Sequence, residues 1–250
     1  MTRSRLLPRL NNCARPRAEL LCFPHAGGSA SYFQRWAPHL PDGLSLCALQ
    51  LPRREERLDA APIEDMEHLI TDLLAEIPAS PAMPLILFGH SMGAIVAWEL
   101  ALALQARGQI PQHLYISGQT PPDIQRQTAF HQASDEELLA EVMRFSATPA
   151  SLLEFPALRE LVLEQLRHDY RLIERWRPST LPTLNAPITV LHGRADSEVT
   201  LPEASGWAHF SKRRFRLFSW PGDHFYLTAR WQDVLQRVCQ DASLTSFDMP

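Results

Sequence analysis

The 250-residue chain lacks any apolar run near the roughly 18 residues that a membrane-spanning helix requires, so no transmembrane helix is expected. Its start, MTRSRLLPRLNNCARPRAEL, has arginines but no apolar core and no small-residue cleavage site. It is therefore not expected to act as a secretory signal, and it reads as a loosely held extension before the first strand. Cysteine is sparse. The four, Cys13, Cys22, Cys47 and Cys239, form no C-x-x-C pair, and Cys22 and Cys47 lie inside apolar runs, as expected of small core residues in a reducing cytoplasm. No excess of positive charge exists: 24 basic residues against 28 acidic ones give a net charge of −4, and the basic residues are scattered, which argues against nucleic acid as a partner. The histidines show no H-E-x-x-H spacing, so neither a metal nor another cofactor is expected. Internal repeats and low-complexity segments are also missing.

What the chain does have is a composition 45% hydrophobic, enough for a full core, and one domain spanning 1–250 is expected. Short apolar runs recur: ELLCF (19–23), SLCALQL (45–51), LILF (85–88), HLYIS (113–117), ITVLH (188–192) and FRLFSW (215–220). Near-continuous apolar strands are what a parallel sheet covered on both faces requires. Helical patterns lie between several of them, at 66–77, 94–108 and 231–240, which predicts an α/β fold, mainly parallel, with helices on both faces. About 70 residues separate the strand ending near Ser117 from the one beginning at Ile188, more than a simple crossover needs. This interval contains SDEELLAEVMRF, where Ser134 and Glu137 form a capping-box pattern ahead of Leu138, Leu139, Val142 and Met143. ALRELVLEQLRHDYRLIERW follows, with Leu158, Leu161, Val162, Leu166, Tyr170 and Ile173 mostly on one face. A helical insertion at about 120–180 reads as a lid over the sheet's C-terminal edge; the alternative is an ordinary packing layer.

Gly89-His90-Ser91-Met92-Gly93 matches G-x-S-x-G. Glycine and serine are common enough that the pentapeptide alone is weak, but its setting is not: a strand precedes it and a helix follows, the context of a nucleophile elbow. At so sharp a turn, side chains at either glycine would collide with the neighbouring strand and helix. The alternative is a serine that merely caps a buried helix. A reactive serine needs a base and an acid that orients it, in chain order serine, acid, histidine. His224, in PGDHF after the last strand, is the leading base, with His192 and His209 weaker. Asp196, in the loop after ITVLH, is the leading acid, with Asp223 and Asp169 as alternatives. An oxyanion hole needs two backbone N–H groups. Met92 at the helix start supplies one, and Ala26 in the loop Pro24-His25-Ala26-Gly27-Gly28 is the candidate for the other, unless that loop is a plain turn.

Taken together, FPHAGGSASYF, LPRREERL, FGHSMGA, HGRADSEV and GDHFYL resemble, in order and spacing, the type II thioesterases that accompany nonribosomal peptide and polyketide synthases, within the α/β-hydrolase fold. The resemblance covers the chain from about Leu20 to Leu235. It implies Ser91 as nucleophile, His224 as base, Asp196 as orienting acid, and the N–H groups of Met92 and Ala26 as the hole. It further implies acyl thioesters on the phosphopantetheine arm of acyl or peptidyl carrier protein domains as substrates, with a monomeric cytoplasmic enzyme clearing stalled or misprimed arms. Two positions depart from the family pattern: Arg53 and Ala94 stand where glycine is frequent.

Other readings follow from the same residues. A small-molecule carboxylesterase or lipase shares the fold, and a non-catalytic binding protein is a third possibility from a different class. Arg54, Glu55 and Arg57 read either as a solvated ion-pair network or as part of the site or carrier surface. Lys212, Arg213 and Arg214 read as a solvated loop or as a basic patch for an acidic carrier helix.

Overall fold

The computed structural model describes residues 6–79, 83–144, 155–178 and 180–241. Six strands, β1 (Ala18–Phe23), β2 (Leu44–Ala48), β3 (Leu85–His90), β4 (His113–Ser117), β5 (Ile188–Gly193) and β6 (Phe215–Trp220), form one sheet in the order β2-β1-β3-β4-β5-β6. Every neighbouring pair is parallel. Alternate residues face opposite layers, as the two-residue period of a strand demands. Leu21, Phe23, Leu87, Leu114, Ile116 and Val190 join the core under α1 (Met66–Glu76) and α2 (Met92–Ala106). Leu20, Cys22, Ile86, Phe88, Tyr115 and Leu191 join the core on the other face. That face is covered by a 3-10 segment, Ala30–His39, which buries Phe33 and Trp36, and by the last helix, Tyr226–Asp241, which buries Val234, Leu235 and Val238. Both faces are thus apolar, which is why the strands read as unbroken hydrophobic runs.

The segment from Leu6 is not loosely held, contrary to expectation. Leu6 and Leu7 are buried, and their N–H groups donate to the Glu76 carboxylate at 2.9 and 3.1 Å. The chain then pairs along β2, with Leu10 N–H donating to the Leu46 carbonyl and Ala48 N–H to that of Pro8, so it covers an edge that would otherwise expose unpaired backbone groups. All four cysteines are free thiols, Cys22 and Cys47 being buried. Burial, then the Glu19 carboxylate, pushes the Cys47 thiol up to about 12, so it is a packing residue.

Between β4 and β5 lie α3 (Asp135–Arg144) and α4 (Pro156–Arg175). The capping box forms: Glu137 N–H donates to Ser134 Oγ at 3.2 Å and Ser134 N–H to the Glu137 carboxylate at 2.8 Å. Leu138 packs against Leu163 and Leu166 of α4. Phe145 and the side chain of Val142 lie outside the described residues. The buried stripe of α4 differs from the expected one. It runs Leu163, Leu166, Asp169 and Leu172, while Leu158 is exposed. A carboxylate at the middle of a buried stripe breaks the hydrophobic pattern from which the face was read, and its partner explains it below.

A parallel sheet sends all its carboxyl ends to one edge, where ligands bind in such folds. The loops after β1, β3, β5 and β6, which carry Ala26, Ser91, Asp196 and His224, all leave that edge. The short helix α5 (Leu201–Ser205) follows the β5 loop, and Tyr226–Asp241 is α6.

Candidate active site

Ser91 sits between β3 and α2 with φ 54° and ψ −122°, a left-handed conformation that is strained for a residue with a side chain. Backbone bonds hold it there: its N–H donates to the Ser117 carbonyl at 2.8 Å, and Ala94 N–H donates to the Ser91 carbonyl at 2.9 Å. The two glycines are required by close approach. A Cβ on Gly89 would lie 2.2 Å from the Gly93 carbonyl oxygen, and one on Gly93 would lie 2.1 Å from that of Phe23 in β1. Ser91 makes no side-chain capping bond to the first turn of α2, so its place at the turn is not explained as a helix cap. Behind it His90 is fully buried, Nδ1 lying 2.9 Å from Ser117 Oγ, which in turn is 2.7 Å from the Tyr226 hydroxyl.

His224 and Asp196 meet. Nδ1 of His224 lies 3.1 and 3.0 Å from the two Asp196 oxygens, and both side chains are almost wholly buried. Burial alone would raise the Asp196 carboxyl. The hydrogen bond and charge of His224 and the N–H groups of Glu198 and Val199 outweigh it, holding Asp196 below the usual carboxylate range. The remaining candidates go elsewhere. His192 is buried with Nε2 2.8 Å from the Val199 carbonyl, bracing the loop that carries Asp196. His209 is exposed, and Asp223 accepts from Phe225 N–H, fixing the turn before α6.

Ser91, His224, Met92 and Ala26 line one cavity of about 160 Å³, together with Tyr170, Ile173 and Trp176 of the β4–β5 interval. Met92 opens α2, where backbone N–H groups are unsatisfied by the helix itself. Ala26 lies in a turn closed by Gly28 N–H donating to the His25 carbonyl, with Gly27 at φ 78°, a conformation suited to glycine. The His25 ring packs edge-on against Tyr32, His90 and Phe225. Burial, then the charges of His224 and Arg54, pushes its pKa down to about 3, so it is neutral.

Within the polar run at 51–58, Glu55 and Glu56 are exposed, but Arg54 is not solvated. Arg54 is 3% exposed and donates to both oxygens of Asp169 at 2.9 Å. That pair also grips the Ala26 loop: Gly27 N–H donates to Asp169 at 2.7 Å, and Arg54 donates to the Gly28 carbonyl at 2.9 Å. Asp169, an alternative acid in the sequence, is therefore committed to Arg54 and Gly27. Arg53 has φ 65°, the left-handed conformation that accounts for the frequent glycine there, and its side chain pairs with Glu164 of α4 at 2.9 Å. Ala94 is fully buried in α2. Nothing in the sequence marked Arg54 and Asp169 as partners, since they lie 115 residues apart. Lys212, Arg213 and Arg214 precede β6 and so lie at the opposite edge of the sheet from Ser91, which separates them from the site.

A parallel sheet carrying a strained serine at a strand-to-helix turn, with a buried histidine–aspartate pair beside it, defines a serine-type α/β-hydrolase. More narrowly, the chain belongs to the thioesterase family: the Thioesterase domain profile matches residues 18–242. The chain is 30% identical over 237 residues to the gramicidin S biosynthesis protein GrsT of Aneurinibacillus migulanus, covering 94% of this chain and 92% of that one. It is 36% identical over 226 residues to thioesterase PikA5 of Streptomyces venezuelae, covering 90% and 79%. Its structure resembles that of the type II thioesterase BorB from the borrelidin biosynthetic cluster, with TM-score 0.87 and 33% identity over 94% of this chain and 97% of that one. The resemblance to type II thioesterases read from the motifs is thus borne out. Among the described residues no group of three histidine, cysteine or carboxylate side chains could hold a metal, and no helix is long and apolar enough to cross a membrane.

Proposed function

We propose that this thioesterase hydrolyses acyl groups from the phosphopantetheine arm of acyl or peptidyl carrier protein domains, through an acyl-enzyme on Ser91, in the service of a nonribosomal peptide or polyketide synthase. The observation that carries this reading is the strained Ser91 sharing one cavity with His224, which is hydrogen-bonded to the buried Asp196. Asp196 keeps the His224 proton on Nδ1, leaving Nε2 as the base. His224 takes the Ser91 proton as Oγ attacks the thioester carbonyl, and the N–H groups of Met92 and Ala26 hold the developing oxyanion. Collapse breaks the C–S bond, and the pantetheine thiol leaves with the proton from His224. Water, deprotonated by the same nitrogen, then attacks the acyl-serine and frees the acid and Ser91.

This chemistry needs no metal or cofactor. Within a single domain, α3 and α4 serve as the lid that shields the acyl-enzyme, a role supported by Glu141 of α3 and Tyr170 and Ile173 of α4 lining the cavity. We place the enzyme in the cytoplasm as a monomer, where free thiols and carrier domains coexist. The test is release of acetyl or short acyl groups from a loaded carrier domain. Ser91→Ala is expected to abolish it, and normal release by that variant would refute the mechanism. A strong preference for simple oxygen esters over carrier-bound thioesters would refute the substrate.

A further inference from the structure

We infer that the buried Arg54–Asp169 pair positions the oxyanion loop, so that the donor geometry at Ala26 depends on α4 being seated. This rests on the reading of Ala26 as an oxyanion donor. Two consecutive residues after Ala26 are held by the same ion pair: the Gly27 N–H by Asp169 and the Gly28 carbonyl by Arg54. The Ala26–Gly27 peptide is held through its N–H by a carboxylate and the Gly28–Ser29 peptide through its carbonyl by a guanidinium, so the Gly27-Gly28 segment is tied at both ends. The two charges come from different elements. Arg54 belongs to the loop after β2 and Asp169 to the middle of α4. Both side chains are about 4% exposed.

A buried ion pair is not explained by stability, because apolar residues of similar volume commonly do as well or better in such places. A second set of bonds ties the same pieces together. Glu55 accepts from Ser29 and Ser31 at the far end of the oxyanion loop, and Gln165 of α4 donates to the Arg53 carbonyl. Arg53 and Glu55 both hold positive φ, at 65° and 47°, so Arg54 is presented between two strained residues. Strain of this kind persists only where the surroundings over-determine it. Arg54 and Asp169 are positioning residues, acting on the reacting oxyanion through the Ala26 peptide.

The test measures kcat, KM and melting temperature for hydrolysis of an acyl-pantetheine thioester, which needs no carrier docking. Asp169→Asn keeps an acceptor for Gly27 but leaves Arg54 a buried charge without its counterion; the double variant Arg54→Met, Asp169→Leu removes both charges and both grips. The expected kcat loss is about three- to tenfold for Asp169→Asn and about ten- to a hundredfold for the double variant, below the hundred- to thousandfold typical of deleting a donor outright. KM should stay within about twofold in both. Melting temperature should rank the other way, the double variant lying closer to the native protein than Asp169→Asn. Crossed rankings support positioning. If kcat follows melting temperature, so that the double variant regains both, the pair is merely structural and the inference falls. Ser91→Ala is measured alongside: activity surviving in it would refute the acyl-serine reading, whereas its loss with native kcat in the double variant would refute only the positioning role.

Discussion

A methyl group added to Gly93 would sit 2.1 Å from the Phe23 carbonyl oxygen, so the helix that follows Ser91 packs directly on the backbone of β1. The obstacle is backbone, and it cannot swing aside as a flexible side chain would. Gly93→Ala is therefore expected to cost at least the upper end of the about 1–3 kcal/mol usual for overpacking. Gly108 is the control. It has φ 82° but nothing within 4 Å, so Gly108→Ala should cost only about 1 kcal/mol of backbone strain. Urea unfolding of both variants checks the order.

Asp196 orients His224 without touching substrate in the proposed mechanism. Asp196→Asn should lower kcat by about four orders of magnitude, because an amide can donate to Nδ1 and so favour the wrong tautomer. Steady-state hydrolysis of an acyl-pantetheine thioester is the measurement; a loss below tenfold would contradict the assigned role. Since His224 and two backbone N–H groups hold the Asp196 carboxyl below the usual range, its contribution to stability is full above about pH 4 and is lost only as pH falls through its lower folded value.

Three histidines are held neutral chiefly by burial: His25 is pushed down to about 3, His113 to about 4, and His90 well below its usual value. Unfolding frees each to bind a proton below about pH 6.5. The unfolded chain then carries the extra protons, so stability is full above pH 6.5 and falls as the pH drops, by up to about 1.4 kcal/mol per pH unit for each histidine. Urea midpoints should decline between pH 7 and 5. His113→Gln, which keeps a hydrogen-bonding group opposite Thr189, should reduce the slope by about one proton. A flat profile would contradict the prediction.

Trp176 lines both the Ser91 cavity and a groove of about 740 Å³ between α1, α2 and the end of α4. Its indole N–H donates to Glu99 at 3.0 Å, which fixes the ring as the wall between them. Trp176→Ala should join the two spaces and raise kcat/KM for octanoyl relative to acetyl thioesters at least tenfold, about 1.4 kcal/mol, within what a single methylene can contribute. An unchanged ratio would mean that the acyl chain does not reach this wall.

Much of this was legible in the sequence, for a physical reason in each case. Parallel strands buried on both faces must be largely apolar, so β1 to β5 stand out as short hydrophobic runs, and the half-buried edge strand β6 still shows through Phe215, Leu217, Phe218 and Trp220. Ser91, Asp196 and His224 each follow such a strand, so finding the strands also located the loops at one edge. Other features were hidden. The seating of Leu6 to Leu10 along a sheet edge rests on backbone bonds, which no side-chain pattern records. Arg54 reads from sequence as solvated because charged residues in a polar run usually are, and Asp169 as an alternative acid; only the approach of α4 to the β2 loop brings them together. His192 ends a strand and so reads as a weaker candidate base, whereas its Nε2 lies against the Val199 carbonyl and supports the Asp196 loop. The segment Ala30–His39 gives no helical signal in the sequence because a 3-10 helix lacks the 3.6-residue period that marks an α-helix.

A covalent acyl group on Ser91 is the central intermediate of the proposed mechanism. The most direct measurement is mass spectrometry of acid-quenched Asp196→Asn enzyme, slowed in both steps, after mixing with an acyl-loaded carrier domain. The peptide containing Ser91 should gain the mass of the acyl group, and the gain should disappear when Ser91→Ala is added. Turnover with no adduct at any time point, or an adduct on another residue, would contradict the account.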